Sequence, residues 1–297
     1  MITATDRTDE TLLPRGNARV RKTSISFAGL EYEFLGVEDR ELWGIPETLM
    51  ECAQTDEDAR GSFACIRCTV QETSSLGLSG RLPINWSWEG NAAEIHADGV
   101  RATVRDLGRG QYAASARVAP GRVEVRGLML GLTGAIYDRV GSLMMHGTTI
   151  EYEGGAITFV GPSGAGKSTA AELCPGAPIL AVDKTALYRD RRGKWMAAPL
   201  PEHRAGRLID RRSSALSLPL LGVLRVSQSV DRVRMEEVPA LQKLMVLRES
   251  LLTGDASAEA RRFTQLERFA NEVPVARVHT VLGASLRPVL QTLVGTG

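Results

Sequence analysis

An eight-residue glycine-rich segment, Gly161-Pro-Ser-Gly-Ala-Gly-Lys-Ser168, constrains the fold of this chain more than any other feature. It follows the apolar, strand-like run 156–160, precedes the helix-permissive run 169–173, and matches the pattern G-x-x-x-x-G-K-[ST] in full. The three glycines allow positive φ and close backbone approach, so successive backbone N–H groups can converge on phosphate oxygens. The sequence therefore predicts a P-loop that binds a nucleotide.

The predicted nucleotide-binding residues belong to this loop and to the start of the helix that follows it. They are Gly161, Ser163, Gly164, Ala165, Gly166, Lys167, Ser168 and Thr169. The Lys167 ammonium is expected to bind the β and γ phosphates, and the Ser168 hydroxyl to join the ligands of Mg²⁺. The positive N-terminal end of the helix adds to the attraction for phosphate.

Two other side chains are candidates for the chemistry. A two-residue hairpin at Gly154-Gly155 would pair residues whose numbers sum to about 309, which places His146 level with Ser163. His146 could then orient the γ-phosphate or assist a base, and the alternative is a core histidine bonded to backbone. The apolar run 179–182 ends in Asp183, where a metal ligand or a general base would lie, and the alternative is a capping or turn aspartate.

Composition excludes several classes of partner. Lys plus Arg number 36 and Asp plus Glu 35, so a net charge of +1 gives no global attraction to nucleic acid or to an anionic membrane. No apolar run approaches the roughly 20 residues of a membrane span. Residues 1–22 are polar and lack the apolar stretch of a secretory signal. We expect a cytoplasmic protein with no nucleic-acid or membrane partner.

The hydrophobic pattern divides the chain into three parts. Residues 1–22 are predicted to be a flexible N-terminus, 23–127 a smaller strand-rich domain, and 128–297 an α/β domain that contains the P-loop. Within the last part, 128–140 reads as a helix or a loop, and helices are predicted at 167–173, 239–252, 258–272 and 286–293. Apolar residues at a near-helical period in the second of these predict a core face, namely Leu241, Leu244, Met245, Leu251 and Leu252.

Charged and cysteine-containing segments give weaker signals. Residues 31–60 carry ten acids and two arginines, which indicates a solvated acidic face or, alternatively, a docking surface. The basic run 189–194 is predicted to be a solvated hairpin turn, and Arg204 and Arg207 lie in a Pro/Gly-rich segment that could close over transferred phosphate. Cys65 and Cys68 fall on opposite faces of a predicted strand, which disfavours a shared metal.

These residues resemble the HPr serine kinases and their HPr-kinase-like relatives, which share a P-loop fold with ATP-dependent phosphoenolpyruvate carboxykinase. The resemblance covers about 143–280 and depends on His146, the hairpin into the P-loop, Asp183, and a closing strand, two helices and strand. It implies a P-loop kinase domain of HPr kinase/phosphoenolpyruvate carboxykinase type, preceded by the strand-rich domain. It also implies ATP and Mg²⁺ as ligands, transfer to a serine hydroxyl, and a homo-oligomer. His146, Asp183 and Lys167 would then be catalytic, and Ser168 and Asp183 would bind the metal.

The chain also departs from that family. The family usually has two adjacent acids after the strand, whereas this chain has Val182-Asp183, and the glycine- and arginine-containing loop used for phosphorolysis has no match. These departures favour a relative that acts on another protein, a peptide or a small molecule. A nucleotide-binding regulatory protein with degenerate catalysis and a small-molecule or carboxykinase-like enzyme remain alternatives. The signature motifs of ABC-transporter ATPases and the guanine-reading motif of GTPases are missing.

Overall fold

The structure is a computed structural model that describes residues 22–35, 62–73, 75–76, 84–119, 122–200, 217–252 and 259–294. The described chain is mixed α/β, with most of its elements strands in two sheets. Three hydrophobic clusters fill the space between the sheets and the helices.

The first sheet has seven strands in the order β1-β2-β3-β7-β6-β5-β4. Strands β2, β3 and β7 are parallel neighbours, and the remaining pairs are antiparallel. Alternate side chains are buried along β7, which is the pattern of a sheet with one covered face. The strands are β1 Lys22–Phe27, β2 Leu30–Leu35, β3 Ala64–Glu72, β4 Asn85–Glu89, β5 Ala92–Ala97, β6 Val100–Gly108 and β7 Gln111–Val118.

A single helix, α1 (Arg122–Val140), packs on the covered face of this sheet. Its side chains from Leu128 to Asp138 are buried without an exposed stripe, because the first sheet contacts one side and the second sheet the other. The sequence predicts a helix or a loop over 128–140, and the structure has a helix there. The predicted domain boundary between 127 and 128 lies inside α1.

The second sheet has eight strands, and five of them are hydrogen-bonded in a closed ring. Strand β8 pairs with β11, then β11 with β12, β12 with β13, β13 with β9, and β9 again with β8. Strands β9, β13 and β15 are parallel, so their carboxyl ends share one edge. The strands are β8 Leu143–Tyr152, β9 Gly155–Val160, β10 Ile179–Ala181, β11 Lys184–Arg189, β12 Trp195–Pro199, β13 Leu218–Gln228, β14 Arg234–Glu237 and β15 Val275–Thr280.

Four helices cover the second sheet, close to where the sequence predicts them. Two of them pack on one face of the parallel strands and two on the other. The pair α2 and α5 buries one face, and the pair α3 and α4 buries the other. The helices are α2 Lys167–Glu172, α3 Ala240–Ser250, α4 Glu259–Glu272 and α5 Arg287–Val294.

The predicted core face of α3 is wrong for Leu241 and Met245, whereas Leu244, Leu251 and Leu252 are partly buried against the core. Leu241 is 70% exposed and Met245 is 55% exposed, whereas the buried residues of this helix are Val246, Leu247 and Ser250. Apolar residues lie on both sides of the helix. The side that carries Val246 and Leu247 packs against the sheet. Leu244 and Leu251 pack against the core only in part.

A buried ion pair joins the first sheet to the second half of the chain. Arg262 of α4 donates to both carboxylate oxygens of Asp138 on α1, at 3.2 and 2.7 Å. The indole N–H of Trp86 on β4 donates to Asp138 Oδ2 at 2.7 Å. Because Asp138 and Arg262 are both buried, this contact ties α1, β4 and α4 together.

Two sequence expectations about membrane and cysteine features can be compared with the structure. Among the described helices, none is long and apolar enough to cross a membrane. Cys65 and Cys68 lie on opposite faces of β3, as the pattern predicts, and Cys68 is buried. Burial raises the pKa of the Cys68 thiol to about 12, so it stays protonated and unreactive at neutral pH.

Candidate functional site

The glycine-rich segment has the predicted strand–loop–helix context. Strand β9 is buried along its whole length and ends at Val160, the loop follows, and α2 begins at Lys167. The backbone has positive φ at Gly161 (144°), Gly164 (79°) and Gly166 (90°), a region that L side chains rarely adopt. The side chains of Ser163, Ser168 and Thr169 are exposed at this loop, where a ligand could reach them.

Lys167 lies over the loop that precedes it. Its Nζ donates to the backbone oxygens of Gly161 and Pro162, each at 3.0 Å. Partial burial lowers the pKa of Lys167, and the nearby negative charge of Asp183 raises it by a smaller amount. The ammonium is therefore held at the mouth of the loop and within the field of the Asp183 carboxylate.

The hairpin that leads into the loop has a different register from the predicted one. Its turn is Glu153-Gly154, with φ of 47° and 77°, and the paired residue numbers sum to 307 because Gly147 faces Val160. A type I′ turn needs positive φ at both central residues, which Glu153 and Gly154 supply. Gly155 belongs to β9, where a Cβ atom would lie 2.5 Å from Leu221 Cγ.

This correction changes the position of His146. Because the last hairpin pair is Gly147 with Val160, the preceding residue His146 lies level with Gly161, the first residue of the loop, and not with Ser163. His146 also pairs across β8 and β11 with Lys184. The imidazole therefore lies at the base of the glycine-rich loop.

Asp183 occupies a strained turn between β10 and β11. Its φ is 68°, and the Lys184 N–H donates to the Val182 oxygen at 2.8 Å, which closes a three-residue γ-turn. The Gly147 N–H donates to the Asp183 backbone oxygen at 3.1 Å. A residue other than glycine in this conformation costs on the order of 1–3 kcal/mol and is held there by its surroundings. The turn fixes the direction of the Asp183 carboxylate.

The Asp183 carboxylate lies between two basic side chains. Its Oδ1 is 3.0 Å from His146 Nδ1, and its Oδ2 is 3.6 Å from Lys184 Nζ. The His146 and Asp183 side chains are about one-third exposed, at 33% and 32%, so neither is a core residue. The structure thus brings together the predicted residues His146 and Asp183, and the field of Asp183 reaches Lys167.

Three buried threonines connect the strands that carry these residues. The Thr149 hydroxyl of β8 is 2.9 Å from that of Thr158 on β9 and 2.8 Å from that of Thr185 on β11. All three are completely buried. Since β8 carries His146, β9 leads into the P-loop and β11 follows Asp183, these hydroxyls fix the relative positions of all three parts of the site.

Gln228 is a site residue that the sequence reasoning missed. It ends β13, the strand parallel to β9, and its Nε2 would be 3.8 Å from a Cβ placed on Gly166. The exposed amide therefore lies beside the P-loop. The available signal was the rule that ligands bind at the carboxyl ends of adjacent parallel strands.

The oxygen donors at the site fit the implied Mg²⁺. Ser168 offers an exposed hydroxyl and Asp183 a carboxylate that is about one-third exposed, and hard oxygen ligands are those that Mg²⁺ prefers. The preceding residue, Val182, is buried and adds no ligand. Within the described residues, no group of three or more His, Cys, Asp or Glu side chains could hold a metal ion. Mg²⁺ at this position would complete its shell with phosphate oxygens and water.

The other charged segments fall partly outside the description. Arg204, Arg207 and most of the acidic segment 31–60 lie outside the described residues. The turn at 189–194 is confirmed, with Asp190 Oδ1 accepting the backbone N–H groups of Arg192 and Lys194. Its arginines are not simply solvated, because Arg189 pairs with Glu272 and stacks on Trp195, and Arg191 donates to the Ser62 oxygen.

Part of the chain matches a known protein family. Residues 129–254 match the family model described as SynChlorMet cassette protein ScmC. The matched span contains most of α1, the hairpin with His146, the P-loop and Asp183, and it excludes the first sheet. Comparison with curated proteins finds no match for this chain.

Proposed function

We propose that this chain is an ATP-dependent kinase of HPr-kinase-like type, which transfers the γ-phosphate to a serine-type hydroxyl of a protein or peptide. The observation that carries the proposal is the His146–Asp183 contact of 3.0 Å at the base of a complete P-loop. A P-loop alone indicates a phosphate ligand, whereas a carboxylate oriented by an imidazole beside it supplies a group that can accept a proton.

The residues have distinct roles in this proposal. Backbone N–H groups of the P-loop and the Lys167 ammonium bind the β and γ phosphates and stabilise the charge that develops during transfer. Asp183 accepts the proton of the acceptor hydroxyl, and the oxygen of that hydroxyl forms a bond to the γ-phosphorus. At the same time the bond between the γ-phosphorus and the β–γ bridging oxygen breaks, and ADP leaves. His146 orients the Asp183 carboxylate. Mg²⁺ held by Ser168 and Asp183 would supply charge neutralisation when bound.

A second candidate is a nucleotide-binding regulatory protein that does not transfer phosphate. The observation that favours it is Val182, a buried apolar residue where the resembled family has another acid. A single carboxylate must then serve both the metal and the acceptor proton. A small-molecule kinase is a third candidate, since the described site would accept any hydroxyl that reaches Asp183.

The wider expectations also remain part of the proposal. The resemblance implies a homo-oligomer, the polar N-terminal residues 1–22 predict a cytoplasmic location, and the net charge of +1 gives no global attraction to nucleic acid or to an anionic membrane. Their tests are the native mass in solution and the location of the tagged full-length chain.

Incubation of the full chain with γ-labelled ATP, Mg²⁺ and candidate proteins, peptides and metabolites tests the proposed function. We expect label on a polypeptide serine, and no label with the Lys167→Met variant. Label on a metabolite instead would favour the small-molecule kinase. ATP binding without transfer to any acceptor would favour the regulatory protein, and no ATP binding would exclude all three candidates.

A further inference from the structure

Lys184 is a basic residue at the site that neither the motif nor the proposed roles account for. It is the first residue of β11 and the cross-strand partner of His146. Its side chain is 23% exposed, and its Nζ lies 3.6 Å from Asp183 Oδ2. The same carboxylate contacts His146 and acts on the charge of Lys167, so Lys184 faces the centre of the site.

The geometry of this contact is that of a charge pair and not of a tight hydrogen bond. N–H to oxygen hydrogen bonds in proteins span about 2.7–3.2 Å, which is shorter than the distance from Lys184 to Asp183. An ammonium group has three N–H donors, so Lys184 can remain beside Asp183 and also donate to an oxygen of a ligand. The γ-turn at Asp183 keeps the two side chains adjacent, because Lys184 donates its backbone N–H to Val182.

The two ammonium groups at the site favour an anionic ligand. Lys167 and Lys184 bring two positive charges to one carboxylate, and Val182 adds no second acid. Two ammonium groups in the field of the same carboxylate can both donate to the oxygens of one bound anion. The proposed ligand is a nucleotide whose terminal phosphate is the part nearest Asp183.

We infer that the Lys184 ammonium is a second phosphate-binding cation, which contacts the terminal phosphate of the bound nucleoside triphosphate. Lys167 binds the phosphate chain from the loop, and Lys184 binds the γ-phosphate beside Asp183. The site then distinguishes a triphosphate from a diphosphate by a direct contact. This inference rests on the proposed function, because it requires the triphosphate to occupy the P-loop.

Equilibrium binding of ATP and of ADP, each with Mg²⁺, to the full chain tests the inference. We expect Lys184→Met to weaken ATP binding about tenfold or more, the range for a hydrogen bond to a charged group, and to leave ADP binding unchanged. Lys184→Arg should retain most of the ATP affinity. The matched control is Lys194→Met, which removes an exposed lysine from the turn at the other end of β11.

Each outcome has a defined meaning. Loss of ATP affinity alone in Lys184→Met supports the contact with the γ-phosphate. If Lys184→Met binds both nucleotides as tightly as the parent, the contact with the γ-phosphate is excluded. If the variant loses the same affinity for ATP and for ADP, the contact is also excluded, because Lys184 then has a structural role. If Lys184→Met does not melt cooperatively, the comparison of Lys184→Arg and Lys184→Gln decides in the same way. A parent chain that binds neither nucleotide would instead refute the proposed function.

Discussion

The two sheets of this chain use their side chains in different ways. Along β7 of the first sheet, buried and exposed residues alternate, so each strand supplies one face to the core and one to solvent. Along β9 of the second sheet, all six residues are buried, and eight of the ten residues of β8 are buried as well. A strand that is covered on both faces exposes few side chains between its ends, and in β8 these are His146 and Glu151, both partly exposed.

This difference bears on where the candidate site lies. In the second sheet, Gly161, Asp183 and Gln228 lie where strands end or turn, and His146 is one of the two residues within β8 that are not buried. In the first sheet, polar residues are spread along an open face. We therefore expect changes in the first region to affect stability, and changes at the strand ends of the second to affect binding and transfer.

Among the proposed substitutions, loss of the buried pair between Asp138 and Arg262 should have the largest effect on stability. Asp138→Ala leaves the buried Arg262 guanidinium without its carboxylate, which is expected to lower the free energy of unfolding by about 3–5 kcal/mol. Urea denaturation measures this change, and ATP affinity of the folded fraction should not change. The control Arg268→Ala removes an exposed pair with Glu272 and should cost less than about 0.5 kcal/mol. A loss below 1 kcal/mol for Asp138→Ala would contradict the importance of this contact.

Lys167→Met should lower phosphate transfer and leave the stability of the fold unchanged. We expect phosphate transfer to fall by about 10²–10³-fold, because the variant loses the cation that stabilises the transferred phosphate. The melting temperature should stay close to that of the parent, since the Lys167 hydrogen bonds within the described part of the chain go to loop carbonyls. Initial rates with labelled ATP and thermal melting of the same preparations measure both quantities. Parent-level transfer by this variant would remove the P-loop from the mechanism.

Asp183→Asn separates proton transfer from nucleotide binding. If Asp183 is the base, kcat should fall by about 10²-fold or more, while ATP affinity changes much less. The matched control is Asp190→Asn, at the other end of β11, where the amide oxygen can still accept the backbone N–H groups of the turn. Equal turnover by Asp183→Asn and the parent would exclude the role of base.

Thr149→Val tests the buried hydroxyl contacts beneath the site and should have the smallest effect. The valine leaves the Thr158 and Thr185 hydroxyls without this partner, at a cost of about 1–2 kcal/mol in unfolding free energy. Thr148→Val, on the opposite face of the same strand, is the control. If the hydroxyls position His146 and Asp183, kcat should also decrease in Thr149→Val and not in Thr148→Val. An unchanged kcat with lowered stability would limit the role to folding.

The sequence predicts the parts of this fold that have strong local signals. The P-loop, Asp183 at a strand end and the four helices of the second half follow from glycine spacing and apolar periodicity. Helix α1 is ambiguous in the sequence because its side chains from Leu128 to Asp138 are all buried and therefore lack an amphipathic pattern. The exposed positions Leu241 and Met245 show that a periodic apolar pattern does not decide which side of a helix meets the sheet.

The site itself was predictable only in part. The position of His146 depended on whether the hairpin turn is Gly154-Gly155 or Glu153-Gly154, and the choice depends on the packing of Leu221 against Gly155, a distant residue in the sequence. Gln228 and Lys184 have no motif, and only the pairing of β13 with β9 and of β11 with β8 brings them to the loop. Local patterns thus identify the loop, and tertiary pairing determines what surrounds it.

A crystal structure of the full chain with a non-hydrolysable ATP analogue and Mg²⁺ tests the central claim most directly. The account predicts the triphosphate bound by backbone N–H groups of the P-loop and by Lys167, with the γ-phosphate facing Asp183 and with His146 still bonded to that carboxylate. A structure with the P-loop empty, or with the γ-phosphate directed away from Asp183 and His146, would contradict it.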